Sequence, residues 1–169
     1  MPRHIPVTVR DTARATPEQT FNVATDVDLT KIFTGFSFLP AVVEVQNQTG
    51  SWDHAGVSRN PVFSDGKGAF EQITTYNPPT YFDYDVIKFT NVLGRLVSGA
   101  HGSWTFSRDP STSGEPATVI EWAYAFAPLP LRRSIVKILI APAWRAYMRR
   151  ALALTVREVE NAASASTAA

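Results

Sequence analysis

Not one of the 169 residues is cysteine, so disulfides, zinc–thiolate centres and thiol catalysis are all excluded. Histidine is nearly as scarce. His4, His54 and His101 are scattered and fit no ligand spacing of the H-E-x-x-H kind, so neither a metal nor a cofactor is expected. There is no excess of either charge: 16 Lys and Arg oppose 15 Asp and Glu, for a net charge of +1. A nucleic-acid partner would call for a clear basic surplus, and none is expected. Long apolar runs are missing as well. The richest, "SIVKILIAPAW", is interrupted by Lys137 and is too short to span a bilayer. The opening "MPRHIPVTVR" lacks the apolar segment of a secretory signal, so a cytoplasmic location is expected.

What is present describes an ordinary globular chain, 44% hydrophobic and 18% charged. The length suits one domain, placed at residues 1–160, followed by a small-residue tail, "NAASASTAA", expected to be disordered over 161–169. Ile5, Val7 and Val9 share one parity, the mark of a half-buried strand. In "ATPEQTFNVATDV", Thr16 can cap a helix, Pro17 suits its first position and Gln19 completes a capping box. A second short helix is expected in "DLTKIFTGF", stopped by Gly35 and Pro40. Six strand-like runs follow, "AVVEVQNQ", "GVSRNPVF", "KGAFEQITTY", "TYFDYDVIKF", "SGAHGSWTFSR" and "ATVIEWAYAF", with turn residues between them that favour consecutive hairpins. The last element is a long helix from Pro130 to Glu160, with Pro142 predicting a kink or break in its middle. The fold class is therefore α+β: seven antiparallel strands in a curved sheet around a long C-terminal helix, with two short helices after the first strand.

Two charges bracket the hairpin "GVSRNPVFSDGKGAFEQI". If Asp65-Gly66 is a two-residue turn, Arg59 lies opposite Gln72 and points away from Glu71. If the loop takes one more residue, for instance through a bulge at Gly68, Arg59 and Glu71 share a face and can pair. The Asp-Gly signal favours the first arrangement, with Glu71 the better candidate for the inside. In the last strand, Ile120, Trp122, Tyr124 and Phe126 share one parity, while Val119, Glu121, Ala123 and Ala125 share the other. A dry core takes the aromatic set inside, which we favour. A ligand cavity could instead take the small set and one carboxylate, leaving the aromatic stripe to a homodimer interface.

The "PEQTFNVATDVD" opening, the W-D-x-x-G-x-x-R run at Trp52–Arg59, the Asp-Gly hairpin leading to Glu71, "PPTYFDY" (78–84) and "TVIEWAYAFAP" occur in an order and spacing that resemble the START-like, birch-pollen-allergen-like helix-grip (SRPBCC) superfamily, on its polyketide cyclase/dehydrase branch. The resemblance covers residues 5–160. It implies a helix-grip fold with an internal pocket for a small, mostly apolar ligand. It also implies a pocket carboxylate at Glu71, a second at Glu121, and wall positions at Tyr84 and Val86. It does not imply one activity, since fold alone never does.

Tyr76, Tyr84 and Thr74 can supply hydrogen-bonding groups to such a wall. Trp104, Trp122 and Tyr124 from the strands, and Leu139 and Tyr147 from the helix, complete the expected ligand contacts, with Arg59 the second charge. Trp52 and Trp144 are read as core or rim packing, and His101 as a solvent-facing histidine. Three functions fit: a protein that binds a small apolar or aromatic molecule such as a lipid, sterol or polyketide; a cyclase or dehydratase using Glu71 as acid/base; and a lipid carrier that touches anionic membrane. The last rests on Arg132, Arg133, Lys137, Arg145, Arg149, Arg150 and Arg157, which precede any acidic residue of the helix.

Overall fold

The computed structural model describes residues 4–168. Strands β1 (Ile5–Ala13), β2 (Val42–Gln46), β3 (Ser58–Phe63), β4 (Phe70–Asn77), β5 (Tyr81–Ile87), β6 (Val97–Arg108) and β7 (Thr118–Pro128) form one sheet. Their spatial order is β1-β7-β6-β5-β4-β3-β2, every pair antiparallel. Consecutive strands from β2 to β7 are neighbours, as hairpin-forming turns require, and β1 closes the far edge against β7. Helices α1 (Pro17–Thr25) and α2 (Leu29–Ile32) connect the two edge strands. Thr16 and Gln19 make the reciprocal capping box that their spacing predicts, and Asp28 caps α2 through the Thr30 N–H.

Alternation along the strands sends one parity into the core. On β7, Ile120, Trp122, Tyr124 and Phe126 are all buried, while Glu121 is exposed. The aromatic set is therefore inside the chain and unavailable to a homodimer. Its rings continue sideways across the sheet: Trp122 stacks on Trp104 of β6 at 4.6 Å, and Trp104 on Phe82 of β5 at 5.9 Å. Phe21 of α1 meets Phe82, Phe106 and Tyr76 edge-on and seals that end of the core.

The C-terminal helical run covers the same face. It comprises α3 (Arg133–Ile135), a π-helical turn (Val136–Ile140) and α4 (Ala141–Thr167). Pro142 has no N–H to give the carbonyl four residues earlier. The expected break takes the form of a widened turn, with the Ala141 N–H donating to the Val136 carbonyl. Met148, Ala151, Leu152, Thr155 and Val159 carry the buried stripe of α4. The helix continues through Thr167, past residue 160, with Ser166 and Thr167 hydroxyls donating to the carbonyls four residues back. Among the described residues, no helix is long and apolar enough to cross a membrane.

Candidate functional site

The β3–β4 hairpin decides the chemistry of the site, and it departs from the two-residue turn favoured above. Gly66 sits at φ +76°, and the Phe63 N–H donates to the Lys67 carbonyl at 2.7 Å. The loop therefore holds three residues, Ser64, Asp65 and Gly66, with the glycine in the left-handed position. One extra residue shifts the register, so Arg59 lies directly opposite Glu71 and not Gln72. Arg59 Nε donates to Glu71 Oε2 at 2.8 Å, with the two side chains only 11% and 13% exposed. Trp52 covers the other face of the guanidinium, 3.8 Å from ring centroid to Cζ. Both charges face inward, and they face each other.

Two small cavities flank this pair. One, of about 40 Å³, is lined by Glu71, Tyr84 and Val86 from the sheet, Phe33 and Val42 from the α2–β2 side, Phe89 and Leu93 after β5, and Trp144 and Tyr147 from α4, with Tyr124 behind. The other, of about 30 Å³, lies against Trp52, Arg59, Phe82, Trp104 and Trp122. Glu71, Tyr84, Leu29 and Phe33 border both.

Tyr84 is held in place from two sides. Trp122 Nε1 donates to its hydroxyl at 3.1 Å, and its ring lies against Gly102, its partner across β5 and β6. Burial, then the nearby Glu71 charge, push the Tyr84 phenol above its usual range. The same burial, with Tyr84 and Glu71 nearby, pushes Tyr124 well up. Both phenols therefore keep their protons at neutral pH and act as hydroxyl groups on the wall. Tyr147 donates to the Pro40 carbonyl at 2.6 Å. Burial raises its phenol to about 12, against the lowering effects of the Gly35 backbone and of Arg150. This clamp ties α4 to the α2–β2 connection, and outside it residues 34–41, Ser64 and Arg150 form an open cleft.

The structure thus brings Glu71, Arg59, Tyr84, Val86, Trp104, Trp122, Tyr124 and Tyr147 to the walls of the two cavities. Four expected contacts lie elsewhere, among them Thr74, exposed and donating its hydroxyl to Asp83 on the outer face of the sheet. Glu121 is exposed on the outer face of β7, because its parity opposes Trp122. Leu139 is 59% exposed: nine residues before Met148, it falls on the side of the helix opposite the buried stripe. Tyr76 packs against Phe21 and lines neither cavity. Phe33 was not singled out in the sequence, and its wall position follows from α2 ending one residue earlier. Trp52 and Trp144, read as packing, border the site directly; the tryptophan seven residues before Arg59 was the available signal for the first. His101 lies on the opposite face of the sheet, 2.8 Å from Asp85 and 3.6 Å from Asp83, outside the site.

The profile of the family described as "Polyketide cyclase / dehydrase and lipid transport" matches residues 4–160. No curated protein sequence matches the chain. Among solved structures, a point mutant of norcoclaurine synthase from Thalictrum flavum, in complex with a transition-state analogue, aligns over 92% of this chain and 96% of that one at 16% identity, TM-score 0.62. XoxI from Bacillus cereus aligns over 94% of each chain at 14% identity, TM-score 0.57. An uncharacterized protein from Bacillus thuringiensis aligns over 87% of this chain and 96% of that one at 14% identity, TM-score 0.58. At such identities the likeness is one of fold.

Proposed function

The chain belongs to the polyketide cyclase/dehydrase and lipid transport family, and on that premise we propose that it binds a small, mainly apolar molecule of lipid, sterol or aromatic polyketide type between the sheet and α4. The Arg59–Glu71 pair carries this reading. A buried ion pair is a costly way to stabilise a core, and apolar side chains of similar volume usually serve as well or better. Here the pair stands at the junction of two cavities whose other walls are almost entirely aromatic and aliphatic. A carboxylate has more acceptor sites than one guanidinium N–H fills, so Glu71 can anchor a ligand hydroxyl.

Pockets for ligands of this class usually span about 300–1,000 Å³, far above the roughly 40 Å³ of the larger cavity. Binding therefore requires the walls to separate, and the Tyr147 clamp marks where the helix and the α2–β2 connection are fastened. Native mass spectrometry followed by denaturing extraction is expected to return an apolar molecule bearing a hydroxyl group. Glu71→Gln is expected to weaken its rebinding about tenfold, in line with loss of a hydrogen bond to a charged group. If Glu71→Gln instead abolishes conversion of the molecule while affinity stays within a few-fold, the cyclase/dehydratase reading, with Glu71 as acid/base, takes over. A mass free of ligand, and no retention of apolar molecules offered to the protein, would count against both.

A second reading is favoured by the outward side of the helix start. Leu131, Ile138 and Leu139 are 97%, 68% and 59% exposed, beside the basic residues Arg132 and Lys137. Aliphatic side chains rimmed by basic ones suit contact with an anionic bilayer, and this patch is a better candidate than Arg149 and Arg150 alone. Co-sedimentation with phosphatidylglycerol vesicles should fall with salt and be lost in Leu131→Asp/Ile138→Asp. Absence of sedimentation at low salt would remove the membrane from the picture.

A further inference from the structure

Among the described residues, only two buried side-chain polar atoms have no hydrogen-bond partner: Thr20 Oγ1 and Trp144 Nε1. Thr20 lies on α1 and borders neither cavity. Trp144 lines the larger one, its ring enclosed by Tyr124 at 5.1 Å, Phe126 at 5.4 Å and Tyr147 at 5.8 Å. A second tryptophan of the same core provides the comparison, since Trp122 Nε1 is just as inaccessible yet donates to Tyr84. A phenylalanine at 144 would offer the same kind of ring contact without an orphaned donor. The unmatched N–H is a local disadvantage of the unliganded protein, and it belongs to a residue that lines, from the helix side, the cavity whose sheet wall carries Glu71.

Resting on the ligand-binding reading above, we infer that Trp144 Nε1 is the second polar anchor of the site, and that the ligand carries a neutral acceptor oxygen, a ketone- or quinone-type carbonyl, as well as the hydroxyl that meets Glu71. An indole N–H can only donate, so the group it meets must accept. A neutral acceptor suits the cavity better than a carboxylate, whose charge would face that of Glu71 across a wall of low polarity. With donor and acceptor on opposite walls, the ligand's orientation is fixed: hydroxyl toward the sheet, carbonyl toward α4. The ligand class is thus a hydroxylated aromatic or alicyclic ketone, and fatty acids are disfavoured.

The test uses the full chain and two probes of matched shape, 2-acetylnaphthalene and 2-isopropenylnaphthalene, which differ in a carbonyl oxygen against a methylene. Titration calorimetry should give the ketone about tenfold tighter binding than the alkene. Trp144→Phe should erase that preference, bringing the ratio of ketone to alkene affinity close to one. In wild-type protein labelled with ¹⁵N, the Trp144 indole N–H resonance should move downfield with the ketone and not with the alkene, a readout that does not depend on the variant folding. Equal affinities in the wild type, or a ketone preference that survives Trp144→Phe, would overturn the assignment while leaving the pocket in place. Binding of neither probe would overturn the pocket reading and this one with it.

Discussion

Gly102 is where the fold and the site depend on a single missing methyl group. A Cβ at this position would lie 2.4 Å from Tyr84 Cζ, 2.6 Å from its hydroxyl oxygen and 2.8 Å from Cε2. To restore ordinary contact the ring would have to retreat by about 1 Å, and the space beside it is the cavity of about 40 Å³. Overpacking of this kind costs about 1–3 kcal/mol. Displacing the ring also strains or breaks the bond from Trp122, leaving a buried N–H unpaired at a further cost of about 1–3 kcal/mol. The stiffer backbone of alanine recovers only about 0.5–1 kcal/mol. Gly102→Ala is therefore expected to destabilise by about 2–4 kcal/mol, lowering Tm by roughly 5–15 °C in a chain of this size. Urea unfolding measures it, and the same substitution in a Tyr84→Leu background provides the control. Without the ring to collide with, Gly102→Ala should there be neutral or mildly stabilising. An equal loss in both backgrounds would refute the claim that this glycine exists to seat Tyr84.

Arg59→Met leaves Glu71 buried without its cation and is expected to cost about 3–5 kcal/mol. Arg59→Met/Glu71→Gln should recover most of that loss in urea unfolding, and a double variant no more stable than the single one would show that the pair's charge is not the issue. On the outer face, burial alone would push the Asp83 carboxyl up. Hydrogen bonds from Thr74, Tyr81 and Thr75, helped by His101, more than offset this and hold it below its ordinary value. Its stabilisation is therefore complete above the unfolded-state value of about 4 and is lost as pH falls through the lower folded value. Asp83→Asn should be less stable than wild type by about 1–3 kcal/mol at neutral pH, with the gap closing below about pH 4. A gap that stays constant down to pH 2 would contradict the depressed ionisation. Tyr147→Phe removes the bond to Pro40 at a cost of about 0.5–1.5 kcal/mol and should speed hydrogen exchange at Gly35 and along residues 34–41. Unchanged exchange there would mean that the clamp does not fasten this connection.

Most of the architecture was legible because it depends on local pattern. The Thr16–Gln19 box, the parity of β7 and the order of the hairpins are each fixed by a few adjacent residues. What could not be read depended on one residue more or less. Asp65-Gly66 carries the signal of a two-residue turn, but Ser64 joins it in the loop, and that addition turns Arg59 toward Glu71. Leu139, by contrast, could have been placed outside from the sequence, since at about 100° per residue it stands opposite Met148 on the wheel. Family likeness suggested Glu121 as a pocket residue although its strand parity pointed outward, and parity prevailed because Trp122 and Tyr124 have far more apolar surface to bury. The orphaned donor of Trp144 and the contact between Tyr84 and Gly102 arise only when distant segments meet, so no inspection of the chain alone would disclose them.

The π turn before Pro142 has a bearing on how this helix can change over generations. It holds one residue more than an α-helical turn would, and each α-helical residue advances the wheel by about 100°. The five residues of the π turn carry the chain around once, much as four do in an α-helix, so deleting a single residue between 136 and 140 would let ordinary winding resume with Leu131 and Ile135 on the same side as before and α4 still seated on the sheet. A one-codon gain or loss at this turn is thus absorbed without re-aiming either end of the element, so the helix can change its length over the aromatic chamber while the oily, basic end keeps its outward face.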